Sequence, residues 1–246
     1  MTKTPTDITL YTAQTPNGIK VSILLEELGL DYKVHQIKMM ENEQKQDWFL
    51  EINPNGRIPA IKDGNLRVFE SGAVLQYLVD KYDKDHKVSY PHGTDEYYEM
   101  TSWLHWQMGG LGPMQGQSNH FKRYAPEKIQ YGIDRYGNET RRLYKTMDTQ
   151  LAKTKYLAGD KVTIADIACW GWVAGAKWAG VDLGEFPKLE KWVYDLLARP
   201  GFEAGRHVPA PHTAFDSAKL TEEEINAKAA EARNWVQAGM KSDAQK

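Results

Sequence analysis

The chain has 246 residues and one cysteine, Cys169. A lone thiol excludes an internal disulfide framework and fits a reducing compartment. No long hydrophobic run occurs either. The longest uncharged apolar stretch, Ile167 to Ala176, is far shorter than the ~18 residues a membrane span needs. The opening residues, MTKTPTDITLY, hold no apolar h-region, so no secretory signal is expected. Charge of neither sign dominates: 31 Lys and Arg face 33 Asp and Glu, for a net charge of -2. Nucleic acid therefore meets no basic field, and an anionic membrane meets no polybasic block. The seven histidines are scattered, so no metal-ligand spacing exists and no metal is expected. Walker loops, dinucleotide fingerprints and a nucleophile elbow are also missing. These absences predict a soluble cytoplasmic protein working without a metal.

What is present is enough to build a sizeable core. Hydrophobic residues make up 41% and aromatics 11%, which excludes global disorder and leaves room for one large domain or two modest ones. Ile8 to Tyr11 alternates like a short strand. From Gly18 to Leu28, the residues Ile19, Ile23, Leu24 and Leu28 recur at helical spacing, and Gly29 supplies the stop. Tyr32 to Lys38 reads as a second strand, giving a βαβ unit with parallel strands. Two further β-rich runs, Ile58 to Lys62 and Leu66 to Phe69, flank Asp63-Gly64-Asn65, a hairpin signal. A helix then starts at Ser71 with Val74, Leu75 and Leu78 on one face. The order β-α-β-β-β-α is the thioredoxin-like topology.

Asp83 to Gly93 is polar, broken by proline and glycine, and reads as a domain boundary. Everything beyond it is helical in pattern. Tyr97 to Met108 runs into GGLGPMQGQ, which is glycine-rich enough to predict a break in the helix. Ile129, Ile133, Tyr136, Leu143, Met147 and Leu151 then hold one face of a long helix. Thr163 to Asp166 is a capping box that opens a helix apolar nearly all round, as a central buried helix would be; Cys169 on it reads as a small core residue. Lys188 to Ala198 is amphipathic. After a proline-broken segment, Thr221 to Glu224 forms a second capping box, and its helix should pack through Ile225, Trp235 and Val236.

The chemistry concentrates at Thr15-Pro16-Asn17-Gly18, between the first strand and the first helix. In a thioredoxin-like sheet this turn faces the Pro59 turn and the start of the Ser71 helix. Redox proteins of that topology place a CxxC here; this chain has none and cannot run dithiol chemistry with its own cysteines. It can instead bind a thiol compound. A helix N-terminus with a Thr15 hydroxyl or an Asn17 amide would favour the thiolate. Lowering an ordinary thiol pKa by two units takes roughly 2.7 kcal/mol of preferential interaction. Glu70-Ser71 marks a second helix N-terminus, suited to a carboxylate. Pro59, at the start of a strand that otherwise reads as central, predicts an unusual geometry such as a cis bond. That would leave the Ile58 backbone able to pair with a peptide-like ligand.

TPNG at 15–18, INPNGRIPAI at 52–61, FESGAVLQYL at 69–78, GGLGPMQGQ at 109–117 and IADIACWGW at 164–172 occur in the order found in one family. Over nearly all of residues 7 to 207 the chain resembles the cytosolic glutathione transferases. The resemblance is strongest to the bacterial nu class and to the fungal enzymes related to the yeast nitrogen-regulatory prion protein. It implies the glutathione transferase fold: an α/β thioredoxin-like N-terminal domain over 7–86 and an all-α C-terminal domain over 94–207, with 208–246 an extension carrying one amphipathic helix. It further implies glutathione as co-substrate. By position, Glu70 and Ser71 would hold the γ-glutamyl end, Ile58 would pair with the cysteinyl unit, and Gln44 and Arg57 would reach the glycyl end. Asn17 and Thr15 would contact the sulfur as the catalytic groups, and Arg135 would line the site.

Two functions follow from the resemblance. One is an enzyme that uses bound glutathione thiolate to conjugate electrophiles or to reduce disulfides and peroxides, in a cleft lined by Trp103, Trp106, Met114 and Phe121. The other is a non-catalytic regulator acting through a protein partner, although the residues before Ile8 hold none of the Asn/Gln-rich sequence that the yeast relative uses as a prion. The resemblance also implies a homodimer joined across the helices of 94–150.

Overall fold

The computed structural model describes residues 3–217 and 219–243. The N-terminal half contains strand β1 (Ile8–Thr12), helix α1 (Gly18–Glu27), strand β2 (Lys33–Gln36), a short helix α2 (Asp47–Leu50), strands β3 (Ala60–Asp63) and β4 (Leu66–Phe69), and helix α3 (Ser71–Tyr82). The sheet order is β2-β1-β3-β4, with β1 and β2 parallel and the other pairs antiparallel. This is the thioredoxin-like arrangement. Strand alternation in β1 sends Ile8 and Leu10 into the main core beneath α1 and α3. Tyr11, on the opposite face, joins a smaller cluster around Ile37, Phe49, Ile52 and Ala60.

Two strand boundaries differ from expectation. β3 begins at Ala60 rather than Ile58, because Tyr11 pairs with Ala60 and the ladder stops there. Ile58-Pro59 is a cis peptide bond just outside it, and proline has no N–H to donate. β2 is also shorter than the 32–38 run.

The C-terminal half is helical: α4 (Asp95–Trp106), α5 (Gly112–Asn119), α6 (Gln130–Leu151), α7 (Ile164–Ala174), α8 (Pro187–Leu197) and α9 (Pro200–Gly205), followed by the short α10 (Ala214–Ser217) and by α11 (Glu222–Asp243). Contrary to the break that its composition predicts, the glycine-rich segment stays helical. Gln107–Leu111 and His120–Tyr124 are instead π-helical turns, which keep the chain helical with wider hydrogen-bond spacing. Both capping boxes form. Asp166 accepts from Thr163 N at 2.9 Å, and its other oxygen accepts from Leu157 N and Trp192 Nε1. Glu224 accepts from Thr221 N at 2.8 Å. α7 is the buried centre of this half, and Cys169 on it is fully buried.

The two halves share one core. α9 lies against α1, where a Cβ on Gly205 would overlap the Ile23 backbone, and Ser22 Oγ donates to Gly205 O at 2.7 Å. Arg199 pairs with Glu27 at 2.6 Å across the same joint. Among the described residues no helix is long and apolar enough to cross a membrane.

Candidate functional site

The turn from β1 into α1 is built by Thr15. Its Oγ1 accepts from Gly18 N at 3.0 Å and its carbonyl accepts from Ile19 N at 3.1 Å. The first N–H groups of α1 are thereby engaged, so donation to a ligand falls to side chains rather than to the helix terminus. Thr15 keeps its own O–H to give, since its oxygen is used as an acceptor. Asn17 is oriented from the other domain: Trp172 Nε1, on α7, donates to Asn17 Oδ1 at 3.0 Å. An indole N–H can only donate, so it fixes which end of the amide is oxygen and leaves the NH2 free to donate. Two donors, one hydroxyl and one amide, therefore stand at one turn.

Facing this turn is the loop ahead of β3. Asn53, 1% exposed, donates to Arg57 O at 2.7 Å and accepts from Asn55 N at 3.0 Å, which sets the approach to Ile58. The third wall is the start of α3. Glu70 has φ of +68°, a left-handed conformation unusual for a side-chain-bearing residue, and it turns the chain sharply from β4 into the helix. Ser71 begins α3, whose first-turn N–H groups have no partners within the helix.

These walls enclose a cleft of about 870 Å³. Thr15, Asn17, Arg57, Ile58, Glu70 and Ser71, all expected at the site, line it together. Gln44 lies in an adjoining pocket that shares Arg57; it is 3% exposed and its Oε1 has no hydrogen-bond partner among the described residues. Arg135 does not join them: it is exposed on α6 and is not among the residues lining the cleft. The expected lining by Trp103, Trp106, Met114 and Phe121 is also corrected. The helical domain contributes Gly116, Asn119, Tyr124 and Trp172 to the cleft, and α11 adds Ala232 and Trp235. Trp103 opens instead onto a separate basic depression with Arg142 and Lys145, and Phe121 stacks on Tyr136.

Sequence reasoning missed Trp172, Trp235 and Lys20. Lys20 had a visible signal: it is a charged residue in the first turn of a helix whose other charges, Glu26 and Glu27, lie at its far end. It is fully buried, and burial lowers its pKa to about 7, opposed by the nearby Cys169 and Glu70. Burial likewise pushes the Cys169 thiol far above its ordinary range, so it stays protonated and unreactive. Among the described residues no His, Cys, Asp and Glu cluster could hold a metal ion.

A thioredoxin-like domain whose β1–α1 turn carries a hydroxyl and an oriented amide but no thiol, joined to an all-helical domain, is the architecture of a glutathione transferase-type protein. Sequence comparison agrees. Residues 6–80 match the model of the glutathione S-transferase N-terminal domain, and residues 121–200 match that of the C-terminal domain. The chain is 42% identical to the disulfide-bond oxidoreductase YfcG of Escherichia coli over 200 residues, covering 78% of this chain and 91% of that protein. Among solved structures, a glutathione transferase homologue from Lodderomyces elongisporus with two glutathiones per subunit superposes with a TM-score of 0.80 at 47% identity, covering 82% and 99% of the two chains. The transferase URE2P6 of Phanerochaete chrysosporium, bound to oxidized glutathione, gives 0.79 at 41% identity, covering 88% and 98%. The chain belongs to the glutathione S-transferase family.

Proposed function

We propose that this protein binds glutathione in the cleft, holds it as thiolate at Thr15 and Asn17, and uses it chiefly to reduce disulfides. The carrying observation is the pair of donors at the β1–α1 turn, set beside a single cysteine that is buried away from the cleft. The reacting sulfur must then come from the ligand. Thr15 O–H and the Asn17 NH2 donate to it, and each such charge-assisted bond favours thiolate over thiol. The thiolate attacks one sulfur of the disulfide RSSR. A sulfur–sulfur bond forms, the old one breaks, and RS⁻ leaves to take up a proton. A second glutathione thiolate attacks the mixed disulfide GSSR at the glutathione sulfur and releases the other RS⁻. The sum is two glutathione plus RSSR giving GSSG plus two RSH. A two-glutathione complex and an oxidized-glutathione complex among the relatives support this sequence, as does the disulfide-bond oxidoreductase among them.

Glu70 and Ser71 take the γ-glutamyl end, the Ile58 backbone takes the cysteinyl unit outside the β3 ladder, and Arg57 with Gln44 reaches the glycyl carboxylate. The same thiolate would conjugate electrophiles. The protein acts as a cytoplasmic homodimer, which predicts a scattering mass of twice the 28.0 kDa chain.

Steady-state rates with glutathione on a model disulfide and a halogenated aromatic test the reading. Asn17→Ala is expected to lower the disulfide rate at least tenfold, about 1.4 kcal/mol of transition-state stabilisation. Trp172→Phe, which frees the amide to rotate, should lose less. Dominance of the aromatic substrate would make conjugation the main activity. Glutathione binding with turnover of neither substrate would favour a regulator.

A further inference from the structure

Lys20 lies on α1, only 1% exposed, in the joint between the two domains. Its Nζ donates to Gln107 Oε1 at 2.6 Å and to Ser71 Oγ at 3.2 Å. Among the described residues it makes no ion pair; the titratable groups facing it are Glu70, ahead of α3, and Cys169 on α7. A buried amine held by two neutral groups is costly to keep, and packing alone would be better served by an apolar residue. Its position supplies a reason for keeping it. Ser71, on whose oxygen it donates, lines the cleft.

The Ser71 hydroxyl is under-used. Its oxygen accepts from Lys20, so its proton must point elsewhere. Among the described residues it meets only Met108 Sδ at 3.7 Å, a weak acceptor. A carboxylate entering the cleft is a far stronger acceptor and would take that proton over.

We infer that Lys20 is a positioning residue for the γ-glutamyl carboxylate: by donating to Ser71 Oγ from behind, it turns the hydroxyl proton toward the ligand and supports the ligand's charge through that hydroxyl. Gln107, the first residue of a π-turn, holds the Lys20 Nζ in place from the helical domain. The inference rests on the glutathione reading above and goes beyond it, because Lys20 touches no ligand itself.

The test compares two thiols, glutathione and cysteinylglycine, which is glutathione without its γ-glutamyl unit. Lys20→Met should lower kcat/KM for glutathione by roughly tenfold, the size expected for losing support to one charge-assisted hydrogen bond. It should leave the value for cysteinylglycine unchanged. In a Ser71→Ala background the same substitution should add nothing, because its effect passes through that hydroxyl. Equal losses for both thiols, or full additivity with Ser71→Ala, would overturn the inference and leave Lys20 a packing residue. If Lys20→Met does not fold, Lys20→Met with Gln107→Leu replaces the polar pair by apolar side chains without an orphan, and the same selective loss is expected. Calorimetry separates the two levels. A wild type that does not bind glutathione sinks the glutathione reading and this inference together. A wild type that binds, with variants that bind equally well, sinks only the role of Lys20.

Discussion

At Glu70 the backbone holds φ at +68°, which costs a residue bearing a side chain of order 1–3 kcal/mol. The fold keeps glutamate there, at the edge of the cleft, rather than glycine. Glu70→Gly should therefore raise the melting temperature by roughly 2–4 °C per kcal/mol of relieved strain while weakening glutathione. Glu70→Ala should weaken glutathione to the same degree and gain no stability. A Gly variant no more stable than the Ala variant would show that the conformation is not strained. The residues lining the cleft differ in how far sequence exposed them. Thr15, Asn17, Glu70 and Ser71 sit at turns and helix starts, whose chemistry is local and readable over three or four positions. The Trp172–Asn17 bond spans 155 residues, and Lys20 meets Gln107 across 87. Such partners come from packing of the finished domains, and no local spacing encodes them.

Among the elements, the β3–β4 hairpin is tied to α3 through Asp63. Its carboxylate accepts from Lys81 at 2.6 Å, Tyr77 at 2.8 Å and Tyr82 at 2.5 Å. Burial alone would raise this carboxyl, but the three donors outweigh it and hold the pKa below its ordinary value. A depressed folded-state pKa means that the stabilisation is complete above the unfolded value, ~3.9, and disappears as pH falls through the folded one. Urea unfolding of wild type and Asp63→Asn should differ by a constant amount at neutral pH and converge in acid. A gap that widens in acid would contradict this assignment. The strands, α3 and both capping boxes were legible because period-2 alternation and Thr-x-x-acid spacing are local signals. The expected cleft wall came from the resemblance and not from a local signal. The chain's own π-turns at Gln107–Leu111 and His120–Tyr124 rotate the side chains that follow them by about 100° relative to a regular helix, leaving Gly116, Asn119 and Tyr124 on the cleft. The glycines of 109–112 stayed helical because each costs only ~1 kcal/mol, less than the packing around them supplies.

For the whole molecule, the extension reaches back to the cleft through α11. α11 is fastened by Arg123, 1% exposed, to Glu222 at 2.7 Å and Asn226 at 2.8 Å, and Arg233 and Gln237 return to the carbonyls of Arg123 and Tyr124. So anchored, it brings Trp235 over the cleft and over the adjoining Gln44 pocket. Trp235→Ala should raise KM for the disulfide at least fivefold, about 1 kcal/mol, with a melting temperature shift within about 3 °C because the side chain is only half-buried. An unchanged KM would reduce α11 to decoration. The burial of Cys169 has a consequence on a longer timescale. Enzymes that carry their own working sulfur accumulate its damage, because over-oxidation to sulfinic or sulfonic acid is largely irreversible. Here the sulfur that meets the oxidant arrives and departs with each turnover, so injury to that sulfur leaves by diffusion and does not accumulate on the protein.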